Sequence, residues 1–428
     1  MKDIGKLMYG WASDLFPINR SITGEGLRET LVYIQKHFLD LSIKEIKTGT
    51  DIFDWKVPNE WNLDEAYIED ENNNRIIDFA ENNLHIMGYS IPVDCWLDLN
   101  ALQPHLYSSE EQPDIIPYIT SYYKERWGFC LAHNHRVKLK KGKYHVVIKS
   151  SLKPGFLNFG ERLIKGKSSK EILLSTYICH PSMANNEISG PVVTMALMKH
   201  IENMKNRWFS YRIIFIPETI GAIAYLSINH KIMKQNTIAG FVLTCVGDNR
   251  TYSFMPSRLG GTLADNIANH ILTHFYPETD KYSFLQRGSD ERQFSSPLID
   301  LPVVSLMRSK YATYPEYHTS DDNLDLISPE GLNGGFEINR MCIDALEINF
   351  CYMTTVFGEP KMDKRGLRDT IGAKSLQKKI IDIMNFLVYA DGSDLLAISD
   401  RIGLNIFAAN DIASLLLEQG LIKRIEKK

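Results

Sequence analysis

Four long apolar runs in the middle of the chain most constrain what it can become. Residues 172–178, 212–216, 240–246 and 302–306 lack the polar–apolar alternation of a half-exposed strand, as expected of strands covered on both faces. Helical stretches at 191–201, 222–229 and 263–274 separate them. Strand and helix in repetition mean a mainly parallel sheet with helices on both faces, an α/β architecture over residues 150–360. Residues 1–50 read as helical, with Leu27, Leu31, Ile34 and Phe38 on one face. Between 51 and 149, aromatic residues, Asn, Asp and Gly turns and short apolar runs point to an inserted all-β domain. Residues 361–428 open with a charged linker that includes Arg368 and Asp369. Three helical patterns (376–389, 395–402, 410–418) and a closing strand at 421–425 follow, which is a winged-helix-like arrangement. The expected domains are 1–50 with 150–360, 51–149, and 361–428.

Charge and cysteine usage exclude several roles. Lys and Arg number 48 against 52 Asp and Glu, a formal charge of −4, so the whole chain has no electrostatic ground for binding nucleic acid. The region expected to act as a recognition helix, 406–420, holds no Lys or Arg but does hold Asp411 and Glu418. Packing or homo-oligomer formation is the favoured use of that domain. No run approaches the roughly 18 apolar residues of a membrane span, and the first residues lack the apolar core of a signal peptide. Six cysteines without CxxC pairs suggest reduced thiols. These features together lead us to expect a cytoplasmic protein with no membrane partner.

In open parallel sheets, active sites form at the carboxyl ends of the strands. Past the first run lies Cys179-His180, followed by Asn185-Asn186-Glu187; past the second, Glu218; past the third, Asp248; and past the fourth, Tyr317-His318. Polar, metal-competent groups thus recur at one end of four strands. Zinc suits a set of two histidines and a carboxylate, and a fourth position left for water makes such a site catalytic. His180 and His318 are the nitrogen candidates. Asp290 and Glu291 form, with Asp248, a second acidic set, open to binding a substrate ammonium group, orienting ligand histidines, completing the metal shell, or simply being solvated. An ion pair with one of these acids is the plain expectation for Arg292. Tyr317 either walls a pocket or belongs to the core. Cys130, His133 and His135 have ligand-type side chains at close spacing but no matching second pair, and read as hairpin residues.

The segments CHPSMANNEISGP, PETIGAIAYL, GSDERQF and YHTSDDNLD resemble a bacterial family of aminopeptidase-like proteins in the clan of zinc exo-aminopeptidases and glutaminyl cyclases. That family carries a β insertion domain and a C-terminal winged helix, and the resemblance spans essentially the whole chain. It implies an α/β fold of zinc-aminopeptidase type and a small peptide or aminoacyl substrate. It also implies Glu218 as general base, although capping of the next helix stays open for that residue. The two-metal pattern of the clan requires acids where this chain has Asn186, Thr219 and Thr244. One zinc is therefore expected rather than two, with His180, His318 and Glu187 as ligands and Asp248, Asp290, Glu291 and Tyr317 toward the substrate. The activity implied is hydrolysis of an amide next to a free amino group, on an aminoacyl or amino-sugar conjugate. The alternatives are a glutaminyl-cyclase-like acyl transfer and a catalytically lapsed scaffold that binds metal or peptide.

Overall fold

The chain's fold is taken from a computed structural model, which describes residues 3–366 and 374–425; the remainder of the linker read from sequence, 367–373, lies outside the described residues. Two units are distinguished, one formed by the chain up to Ala264 with Thr279–Glu337, the other by Asp265–Glu278 with the chain from Ile338 onward.

The larger unit begins with two amphipathic helices. Helix α1 (Ile4–Leu15) buries Ile4, Met8, Trp11, Ala12 and Leu15, and α2 (Glu25–His37) buries Leu27, Leu31 and Ile34, the face expected from helical spacing. Strand β1 (Ser42–Lys47) follows, which the sequence reading had included among helices. The insertion then supplies a four-stranded antiparallel sheet of β2 (Glu60–Asp70), β3 (Arg75–Asp78), β4 (Val93–Asp98) and β5 (Lys143–Lys153), ordered β3-β2-β5-β4. Its remainder is loops and short helical turns with two pairs of two-residue strands, Asp51–Ile52 with Trp55–Lys56 and Leu106–Tyr107 with Phe129–Cys130. Cys130 sits on a two-residue strand beside Tyr107, and His133–Arg136 is a helical turn. The hairpin expected there does not form, because Phe129–Cys130 pairs in parallel with Leu106–Tyr107 instead of folding back on itself.

Strands β6 (Phe156–Ile164), β7 (Glu171–Tyr177), β8 (Ser210–Ile216), β9 (Thr237–Val242), β10 (Ser253–Met255) and β11 (Val303–Met307) join β1 in the main sheet, with Asp280–Lys281 at its edge. At its centre β8, β7, β9 and β11 run parallel, while β6 lies antiparallel to β8 and β10 to β11. Every residue of β7 and β8 is buried, as their continuous apolar character requires. The charge at Arg212 in β8 is tolerated because its guanidinium grips Glu171 at 2.6 and 2.9 Å, with Glu161 at 2.6 Å and the Tyr225 hydroxyl at 2.9 Å. Helices α3 (Ser189–Asn203) and α4 (Ile220–Asn236) connect β7 to β8 and β8 to β9. Since β7 leads to one neighbour and β9 continues to the other, the connections diverge between β7 and β9. Such a divergence opens a crevice at the strand ends.

The smaller unit contains helices α5 (Lys374–Tyr389), α6 (Leu395–Ile402) and α7 (Ile406–Glu418) and a three-stranded sheet. In that sheet β12 (Cys351–Thr354) lies between β13 (Asp391–Asp394) and β14 (Ile422–Ile425). The unit therefore starts before residue 361, because its central strand is already laid down at 351. His270 belongs to it as well, with Nδ1 2.6 Å from Asp400 and Nε2 accepting from the Ile406 backbone N–H at 2.8 Å. Among the described residues no helix is long and apolar enough to cross a membrane.

Candidate active site

The loops after β7, β8, β9 and β11 each contain a non-glycine residue with left-handed backbone: Ser182 (φ 45°), Thr219 (62°), Cys245 (52°) and His318 (59°). A side chain in that region costs on the order of 1–3 kcal/mol, which surrounding structure must offset, and such strain gathers at functional sites. Its effect is local re-aiming. The segments after β7, β8 and β11 turn side chains toward one cleft, while the segment after β9 does not line it.

His180 is the most constrained of these groups. Its Nδ1 meets Glu187 Oε2 at 2.7 Å, and its Nε2 faces Glu218 Oε2 at 3.7 Å, beyond hydrogen-bond range. Burial disfavours the imidazolium, yet the charge and hydrogen bond of Glu187, with Glu218 beyond, outweigh it and raise the His180 pKa. Glu187 stands on a π-helical turn, Ala184–Ile188, whose residues are all buried. Its other oxygen is turned toward Arg20, 4.0 Å away. Arg20, itself buried, donates to the His180 carbonyl at 3.0 Å and the Leu15 carbonyl at 2.6 Å. Cys179, His180 and Glu187 present their ligand atoms within 4.8 Å of one another. The Cys179 thiol is held protonated by burial and by the neighbouring carboxylates, and it accepts the Glu218 backbone N–H at 3.1 Å.

His318 arrives from the far end of the chain and its ring lies 5.4 Å from that of His180. Its Nε2 is buried without a hydrogen-bond partner. Burial and the proximity of His180 push its pKa down to about 3, so the ring is neutral, with a lone pair to offer. Tyr317 stacks on it at 3.9 Å and 12°. Tyr118, from the insertion, closes the other side at 5.3 Å from His180 and 5.2 Å from His318. Its backbone N–H donates to the His318 carbonyl at 2.9 Å. The inserted domain thus packs over the strand ends and narrows the cleft, whose volume is about 320 Å³.

Glu218 lines this cleft with His180 and His318. Burial raises its pKa, against the pull of His180 and Arg292. Behind it, Asp290 is fully buried, accepts the Thr219 N–H at 2.7 Å, and is raised far above the ordinary range by burial and by Glu218. The ion pair expected for Arg292 is absent. Among the described residues no carboxylate oxygen comes within 4.0 Å of its nitrogens; Nη2 donates to the Thr219 hydroxyl at 2.5 Å and Nε is unpartnered.

None of the three acids expected to meet substrate lines the cleft, Asp290 included, and Tyr317 stands behind His318 rather than in the cleft lining. Asp248 accepts from Arg250 N, Ser309 N, Ser309 Oγ and Asn185 Nδ2, all between 2.8 and 3.0 Å, and is consumed in joining three loops. Glu291 Oε1 accepts from Gly288 N, Ser289 N and the Tyr311 hydroxyl. Both are buried, and their acceptor capacity serves the fold. Conversely, Tyr118 and Asp322 were given no role in advance. Asp322 receives the backbone N–H groups of Asn185 and Asn186 at 2.6 and 3.0 Å and so shapes the turn that carries Glu187. Only its position four residues past His318 could have drawn notice.

Comparison with known proteins agrees with this architecture. Residues 9–349 match a family described as a domain of unknown function, DUF4910, and residues 350–424 match a winged helix-turn-helix family. A protein of Clostridium acetobutylicum named "putative polysaccharide biosynthesis protein with aminopeptidase-like domain" is 44% identical over 374 residues, 87% of this chain and 85% of that one. The crystal structure of a "putative peptidase" from the same organism matches with a TM-score of 0.93 at 40% identity, covering 98% of this chain and 96% of that chain. A zinc aminopeptidase from Bacillus subtilis shares the fold at a TM-score of 0.58 and 11% identity, over 80% of this chain and 94% of that chain. The chain belongs to the DUF4910 family, with an aminopeptidase-type α/β fold followed by a C-terminal winged helix-turn-helix.

Proposed function

We propose that the protein is a zinc-dependent hydrolase of aminopeptidase type, acting on an amide next to a free amino group in a small aminoacyl or amino-sugar conjugate. The observation that carries this reading is the convergence of His180, Glu218 and His318 on one capped cleft, with His318 Nε2 buried and unpartnered. A neutral imidazole left without a donor in a buried site is costly unless something binds its lone pair. The donor set fits zinc. His180 and His318 would supply the nitrogen ligands through Nε2, and Glu187 would back His180 through Nδ1, an arrangement that fixes the tautomer and strengthens the ligand. The 2.7 Å separation of Nδ1 and Glu187 Oε2 is a direct hydrogen bond, which supports a positioning role for Glu187 in place of the zinc-ligand role expected from the sequence.

A single ion is favoured. Asn186 Nδ2 donates to the Tyr177 hydroxyl at 2.9 Å, and that hydroxyl lies 2.5 Å from Thr244 Oγ1, so neutral side chains stand where a second cation would require acids. The two histidines would hold zinc, which when bound would supply Lewis acidity toward the scissile carbonyl and lower the pKa of water. The chain supplies the rest. Glu218, with its pKa raised by burial, takes a proton from water and returns it to the departing amine. Tyr118 and Tyr317 hold the two imidazoles from either side and keep bulk solvent from them. The six free thiols support a cytoplasmic setting.

Zinc titration of chelator-treated protein tests the reading. One equivalent should bind, and His180→Ala or His318→Ala should remove both binding and amide hydrolysis. Absence of zinc uptake by the folded wild-type protein would favour a lapsed scaffold.

A further inference from the structure

The unpaired guanidinium in the cleft wall is the feature that the proposed chemistry leaves unused. Arg292 lines the same cleft as His180, Glu218 and His318. Its one side-chain hydrogen bond goes to a neutral hydroxyl, that of Thr219, and Nε is buried without a partner. An arginine fork left without an anion in a partly enclosed cleft is suited to a carboxylate or phosphate oxygen pair, which it can engage bidentately. Asp290 Oδ1 accepts the Thr219 N–H and Glu291 Oε1 accepts from Gly288, Ser289 and Tyr311, while Asp290 Oδ2 and Glu291 Oε2 are buried without partners and form no ion pair with Arg292. The other wall of the cleft is aromatic. Trp55 and Tyr123, which line the same cleft, pack at 5.4 Å with their rings tilted by 59° and remain 40% and 57% exposed, which adds aromatic surface to the charged groups.

We infer that Arg292 is a specificity residue that binds an anionic group of the substrate, so that the amides cleaved are those carrying a carboxylate or a phosphate beside the scissile bond. This deepens the hydrolase reading, and rests on it only in taking the cleft as the place where substrate sits.

The test is equilibrium binding by calorimetry to the full chain, using two matched pairs of probes: N-acetylglycinamide against N-acetylglycine, and N-acetylglucosamine against its 6-phosphate. The anionic member of at least one pair should bind about 10- to 100-fold more tightly than its neutral twin, the range expected of charge-assisted hydrogen bonds. The pair that shows the preference identifies carboxylate or phosphate. Arg292→Met should abolish the preference and leave the neutral member unchanged, whereas Arg292→Lys should restore only part of it, since charge persists without the fork. Thermal melting establishes that each variant is folded. Equal binding within both pairs, or binding of none of the four probes, would overturn the inference. So would an Arg292→Met variant that weakens neutral and anionic probes alike. Running the titrations with and without zinc separates the two ideas: failure to take up zinc defeats the hydrolase reading and leaves the anion preference to be read on its own.

Discussion

Replacing Glu187 with Gln preserves shape and the hydrogen bond to His180 but deletes one buried charge. Gln can still accept from Nδ1, so the imidazole keeps its orientation. What is lost is the countercharge to Arg20, which is 2% exposed and has Glu187 as its acidic neighbour at 4.0 Å. Two unit charges at that distance attract by about 4 kcal/mol at an effective dielectric constant of ~20. Removing one member of a buried pair leaves the other uncompensated, with losses typically about 3–5 kcal/mol. Glu187→Gln should therefore destabilise the metal-free protein by roughly 3–4 kcal/mol in urea unfolding, with chelator present so that metal linkage does not contribute. Arg20→Met should be destabilising too, and the double variant should lose less than the sum, with a coupling of about 2–3 kcal/mol. Zinc affinity in Glu187→Gln should fall by about 10- to 100-fold rather than vanish, as expected of a residue that orients a ligand. A Glu187→Gln penalty under about 1 kcal/mol, or strict additivity with Arg20→Met, would refute the electrostatic reasoning.

Two further outcomes follow from the same structure. Asp248→Asn should cost about 2–3 kcal/mol in stability, because the amide turns a donor toward N–H groups that now meet an acceptor, while KM stays unchanged; an increase in KM at full stability would return Asp248 to the substrate site. Arg212→Ala should leave Glu171 buried without its cation, Glu161 keeping Lys44, and lower stability by about 3–5 kcal/mol in the same assay, and a neutral result would mean that the network does not hold the sheet.

The parallel core was legible because strands buried on both faces carry a signal that survives in one dimension: residues 172–174 and 213–216 are unbroken apolar runs within strands that are buried throughout. The strand-end rule then brought His180, Glu218 and His318 together although they are far apart in the chain, and the structure places all three on one cleft. Acids at the same strand ends could not be sorted in this way. Glu218 faces the cleft, while Asp248 and Glu291 Oε1 accept from backbone N–H groups and side chains of neighbouring loops whose positions no sequence pattern records. The winged helix was placed too late because its central strand, Cys351–Thr354, is short and owes its existence to distant partners at 391–394 and 422–425. Cys130 and His133 misled for a similar reason, since the loop-rich part of the insertion has no period to read. Tyr118 went unnoticed as one aromatic residue among many, and only the fold sets it between the two histidines.

The central claim is that metal binding and proton transfer reside on different side chains of this cleft. Its most direct test is zinc content measured beside amide turnover in Glu218→Gln. The variant keeps the shape of the side chain and removes the proton acceptor, and general-base contributions are typically on the order of 10²–10⁴-fold. Zinc should remain at the wild-type level, held by His180 and His318, while turnover of an aminoacyl anilide falls by about that factor. Loss of zinc from Glu218→Gln would make Glu218 a ligand, and retention of both zinc and full turnover would remove it from the chemistry; either result contradicts the account.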